Sequence, residues 1–227
     1  MTEAEWLACI EPTRMLEFLE GRVSDRKVRL FCCACCRRFW DKVLMHGERA
    51  WNAVETSERY ADGQASEDEL DEARRQAEKI VPETGADYLG RAVEKTAWSR
   101  SAMARWAPPA WSTWPSCVAS WAAWAAVPAQ DENGTVLAGE ELAQADLLRD
   151  IVGDPFAPKL VSPAWLTAEV VGLAQVIYDD RTFNRLGALA DALEAVGCTE
   201  YDVLEHCRRP GEHVRGCWAV DLILGKA

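Results

Sequence analysis

The fold is decided by Ser24–Val43, SDRKVRLFCCACCRRFWDKV. Its apolar residues Val28, Phe31, Cys32, Cys35, Cys36, Phe39 and Val43 recur at intervals of three and four, with charges between them. That period places one apolar stripe on a helix and excludes a strand, whose side chains alternate every second residue. Ser24-Asp25 supplies the N-cap and Gly47 the stop, so the spacing predicts one long helix over this stretch.

The same grammar extends in both directions. Thr2 and Glu5 form a capping box ahead of Trp6, and Ser66 and Glu69 form another ahead of Leu70, Ala73 and Ala77. Helices are expected around Met15–Leu19, over Glu48–Ala61 with Trp51 and Val54 inward, and from Leu89 toward Trp106, where Pro108-Pro109 breaks the pattern. Residues 128–139 are polar, contain Asn133-Gly134 and read as a surface loop. Beyond it, Leu142, Leu148 and Ile151 share a helix that Gly153-Asp154-Pro155 ends. Ser162-Pro163 reads as the start of a helix carrying Val170, Val171, Ala174, Ile177 and Tyr178. Phe183 to Val196, a short segment capped by Thr199, and Trp218 to Leu224 complete the series. The expectation is an all-α fold, an irregular multi-helix bundle or orthogonal array of about ten short helices. It forms a single domain over 1–227, with a candidate subdivision into 1–128 and 140–227.

Composition narrows the function. Of 227 residues 49% are hydrophobic, and the formal charge is −12. Such a surface repels phosphate backbones and anionic lipid, so neither general nucleic-acid binding nor membrane binding is expected. The charge is uneven. Residues 22–42 hold seven basic side chains against Asp25 and Asp41, whereas residues 48–83 hold eleven acids against five bases. The two segments are expected to neutralise each other; the sharper alternative is a basic face for an acidic partner or a phosphorylated ligand. Without a secretory-type leader or an apolar span, the nine cysteines are expected to be reduced thiols in a cytoplasmic protein.

Two stretches carry a resemblance. MTEAEWLACIEPTRMLEFLEGRVSDRKVRLFCCACCRR at the start, and PAWLTAEVVGLAQVIYDDRTFNRLGALADALEAVGC with LEHCRRPGEHVRGCWAVDLILGK at the end, resemble a large paralogous family of planctomycete proteins of unknown function. The likeness spans about the first 60 and last 80 residues. It implies a cytoplasmic bacterial protein and assigns no site residue.

Three groups could carry chemistry. Cys32, Cys33, Cys35 and Cys36 hold two CxxC spacings, but inside a helical pattern without the Gly-containing turn of a zinc knuckle. They read first as small buried hydrophobes. Cys198, His206, Cys207, His213 and Cys217 gather soft and borderline ligands within twenty residues, which suits tetrahedral zinc. The candidate ligands are Cys198, Cys207, His213 and Cys217, because His206 and Cys207 are adjacent and project apart on a helix. The same residues admit a cysteine-dependent enzyme, with Cys207 or Cys217 as nucleophile, His213 or His206 as base, and Asp202 or Asp221 orienting the ring. Finally, Trp98, Trp106, Trp111, Trp114, Trp121 and Trp124 fall within 27 residues. They read as a core cluster or, for Trp106, Trp111, Trp114, Trp121 and Trp124, as an aromatic platform for a protein partner. Walker, GxGxxG, HExxH and GxSxG motifs are absent. The leading expectation is therefore a non-catalytic helical interaction or scaffold module, with a zinc-binding domain as the alternative.

Overall fold

A computed structural model describes residues 1–80, 88–98, 113–126 and 134–226. Among them are thirteen α-helices and no strand. They form two compact units, Met1–Leu148 and Arg149–Ala227.

The first unit contains α1 (Glu3–Ala8), α2 (Pro12–Leu19), α3 (Asp25–Arg37), α4 (Trp40–Met45), α5 (Glu48–Ala61), α6 (Glu67–Glu78), α7 (Tyr88–Thr96), α8 (Thr113–Ala126) and most of α9 (Thr135–Val152). Both capping boxes form as read: Thr2 and Glu5, and Ser66 and Glu69, exchange side-chain and backbone hydrogen bonds. The loop expected over 128–139 is helical in its second half, because Gly134 takes a left-handed φ of 64° and Thr135 opens α9. Leu142, expected inward on that helix, is exposed, while Leu147, Leu148 and Ile151 are buried.

α3 lies at the centre, packed on α4, α5, α7 and α8. Every residue from Val28 to Cys36 is buried, so this helix is covered on all sides rather than on one stripe. Arg29 is buried with them. Its guanidinium donates to the Thr96 and Trp98 carbonyls at 2.8 and 2.9 Å, at and just past the C-terminal end of α7, where the carbonyls present partial negative charge. The long helix expected through Val43 is interrupted. Phe39 leaves helical geometry at φ −114°, ψ 34°, and α4 restarts at Trp40. At this break Arg37 forms a two-bond pair with Glu58 at 2.7 and 2.7 Å, and Arg38 forms one with Glu140. Arg37–Glu58 and, at 3.0 Å, Arg26–Asp62 join the basic segment to the acidic one as expected; Arg38 instead finds its acid on α9 and Arg29 its partners in carbonyls.

The second unit holds the last turn of α9, then α10 (Ala168–Asp179), α11 (Leu186–Ala195), α12 (Tyr201–Arg208) and α13 (Trp218–Leu224). α10 packs on α11 and α13, and α12 packs on α11 and α13. Val170, Ala174, Ile177 and Tyr178 of α10 join Leu186, Leu189, Ala190 and Leu193 of α11 and Val220 and Ile223 of α13 in one core. Two starts differ from the reading. Ser162-Pro163 opens only a 3₁₀ turn, Pro163–Trp165, without a side-chain cap; Thr167 caps α10, accepting from the Val170 N–H at 3.3 Å. α12 has Glu200 rather than Thr199 at its cap.

Candidate metal centre

Four side chains of the second unit converge. Asp150 comes from the last turn of α9, His206 from α12, His213 from the following loop, and Cys217 from the N-cap position of α13. One ligand atom from each lies within 4.8 Å of the others. Asp150, His206 and Cys217 are 1%, 5% and 0% exposed.

The backbone delivers them for local reasons. Gly153 ends α9 in the left-handed region (φ 74°), and its N–H bonds the Arg149 carbonyl at 2.9 Å. A Cβ there would stand 2.9 Å from Cγ of Trp218, so the turn holding Asp150 closes directly under the first residue of α13 because this position is glycine. The Val214 N–H donates to Asp150 Oδ2 at 3.0 Å, fixing the loop that carries His213.

Hydrogen bonding sets the protons. His213 Nε2 lies 3.3 Å from the Arg209 carbonyl oxygen, and Nδ1 lies 2.6 Å from Asp150 Oδ1. Both partners only accept, so this geometry favours the doubly protonated ring. Burial opposes that charge, but the Asp150 hydrogen bond and its charge outweigh it, and the His213 pKa is raised. Burial likewise works against the Asp150 carboxylate. The hydrogen bonds from His206 and His213 prevail and hold its pKa below the usual value.

His206 behaves oppositely. Burial lowers its pKa despite Asp150. The Trp218 Nε1–H donates to its Nδ1 at 3.0 Å. An indole has no acceptor, so a neutral His206 carries its proton on Nε2. That N–H faces Asp150 Oδ1 at 3.2 Å and Cys217 Sγ at 3.1 Å. Desolvation pushes the Cys217 thiol well above its ordinary range. The shifts favour one carboxylate, one imidazolium, one neutral imidazole and one thiol, a set with no net charge.

Of the residues singled out from sequence, His213 and Cys217 belong here; Cys198 and Cys207 do not, and pack in the core with Leu193, Val203 and Leu204. Burial pushes the Cys207 thiol up to about 12. His206, not Cys207, is the member of the adjacent pair that faces the cluster. Asp150 lies 56 residues before His206, and no spacing rule connects them. For the nucleophile reading, Cys217 and His206 are in contact but fully buried, and the acid beside them is Asp150. Asp202 pairs with Lys159 instead. The α3 thiols are buried, Cys33 included, whose Sγ faces the Val54 carbonyl at 3.8 Å. Among the described residues they join no convergent ligand group.

Trp106 and Trp111 lie outside the described residues, as do the side chains of Trp114 and Trp124. Trp121 is half-buried on α8, and Trp98 donates from Nε1 to Glu94 at 2.6 Å beneath Lys95. Among the described residues, no helix is long and apolar enough to cross a membrane. Set against family models, curated proteins and solved structures, the chain matches none.

Proposed function

We propose that the second unit is a zinc-binding module whose ion sits in the Asp150, His206, His213 and Cys217 cluster. The observation carrying this reading is the convergence of one carboxylate, two imidazoles and one thiol within 4.8 Å. Oxygen, nitrogen and sulfur donors together suit zinc better than calcium or magnesium, which prefer oxygen alone. The His213 Nε2–H on the Arg209 carbonyl is the outer-sphere bond that orients a ligating imidazole, leaving Nδ1 for the metal. Zinc would replace the ring proton of His213 and the thiol proton of Cys217, so the centre stays neutral with or without the ion. Full burial and a raised pKa argue against Cys217 as a nucleophile, since the thiolate is the reactive form. The test is elemental analysis of purified chain. About one zinc per chain is expected, with loss of it in both His213→Ala and Cys217→Ser. A wild-type chain without zinc after reconstitution contradicts the reading.

A scaffold role fits beside this one. The first unit exposes Leu7, Ile10, Leu44 and Met45, apolar side chains of the kind that mark protein-binding surfaces when they adjoin. On this reading the native chain binds an apolar fluorescent dye, and replacing Leu44 and Met45 by serine reduces the signal. A native chain that binds no dye argues against it.

A further inference from the structure

We infer that His206 stays off the zinc and that, of the four converging residues, Asp150, His213 and Cys217 alone bind it. This rests on the zinc reading above and specifies its coordination.

The argument is one of donors and acceptors. His213 has its outer nitrogen on a carbonyl and its inner nitrogen toward the cluster, the arrangement of a ligand. His206 has the reverse. Its outer nitrogen, Nδ1, receives the Trp218 N–H at 3.0 Å, so its inner nitrogen, Nε2, holds a proton and has no lone pair for a metal. Trp218 is fixed in that role from behind, because Gly153 leaves no room between its backbone and the indole: a Cβ would approach Cγ, Cδ2 and Cδ1 to 2.9, 3.1 and 3.2 Å.

The His206 Nε2–H then has two acceptors already in place, Asp150 Oδ1 at 3.2 Å and Cys217 Sγ at 3.1 Å. Once Cys217 is a thiolate, that N–H becomes a charge-assisted bond to the ligand sulfur. Asp150 binds through one oxygen, because Oδ2 is taken by the Val214 N–H at 3.0 Å. The resulting shell holds one oxygen, one nitrogen and one sulfur from the cluster, all ligand types that zinc takes. His206 is a positioning residue in it, acting on the ion through the sulfur and the carboxylate.

X-ray absorption on the zinc-loaded full chain counts the imidazoles. One imidazole and one sulfur per zinc is the expected result, with one imidazole retained in His206→Gln. Two imidazoles in the wild type overturn the inference while leaving the zinc site standing. A chain that takes up no zinc overturns both. Trp218→Phe removes the indole N–H and keeps the ring. It frees Nδ1 of His206 to carry the proton, so a second imidazole should enter the zinc shell. A shell unchanged from wild type in that variant shows that Trp218 does not hold the ring off the ion, and also overturns the inference.

Discussion

At Asp150 one carboxylate answers three donors: His213 and His206 on Oδ1 and the Val214 N–H on Oδ2. Truncating it removes the counter-charge that favours protonated His213, whose Nε2 keeps the Arg209 carbonyl, and leaves the Val214 N–H without its carboxylate. Asp150→Ala should therefore cost about 3 kcal/mol of metal-free stability in urea denaturation, with a much smaller change at the exposed Asp146. The raised His213 pKa fixes a sign. Its contribution is complete below the unfolded value of about 6.5 and fades as pH rises through the folded value. The lowered His206 pKa acts in reverse, removing stability as pH falls below about 6.5. Asp150, with its pKa depressed, adds a loss only at acid pH. Metal-free wild type should thus weaken as pH rises from about 6.5 through the folded His213 value, and His213→Gln should flatten that limb of a pH series of denaturation curves. The same protons count on loading. Calorimetry in buffers of differing ionisation heat should show about two protons released per zinc below the His213 pKa and about one above it. Zinc affinity then climbs with pH.

Helix ends divide what the sequence reveals from what it conceals. Where a cap is a short side chain answered three residues later, as in Thr2/Glu5 and Ser66/Glu69, the reading and the structure agree, because all the partners are local. Ser162-Pro163 shows the limit: Pro fixes the first φ, but the 3₁₀ turn closes at Trp165, whose side chain is buried, and the helix begins afresh behind Thr167. Thr167→Ala should cost about 1 kcal/mol and Ser162→Ala only a few tenths, since Ser162 makes no cap bond. Paired thermal melts decide it. The break at Phe39 was equally hidden. Apolar period continues across it, and the interruption coincides with two long-range ion pairs, Arg37–Glu58 and Arg38–Glu140. At the end of α9, Gly153→Ala meets both a left-handed backbone and the Trp218 ring. A loss of roughly 1–3 kcal/mol is expected, and His206 should lose its indole partner with it.

For the molecule as a whole, the all-α fold was written in the local period, and the charge pattern anticipated Arg26–Asp62 and Arg37–Glu58 but not Arg38–Glu140. The centre was legible only in half. His213 and Cys217 stand in a visible cluster of ligand-type residues. Cys198 and Cys207 share that cluster but turn into the core, and Asp150 arrives from a helix far upstream. Ligand identity depends on side-chain direction and on tertiary approach, and neither is encoded in spacing. The α3 cysteines teach the same lesson from the other side: two CxxC spacings, four buried thiols and no convergent ligand group among the described residues.

Cobalt loading of the intact chain tests the central claim most directly, because a thiolate ligand gives cobalt an intense sulfur-to-metal charge-transfer band. The band should appear at one cobalt per chain, vanish in Cys217→Ser, and persist when Cys32, Cys33, Cys35 and Cys36 are each replaced by serine. A band that survives Cys217→Ser and disappears with an α3 cysteine, or no band at all, would contradict the account.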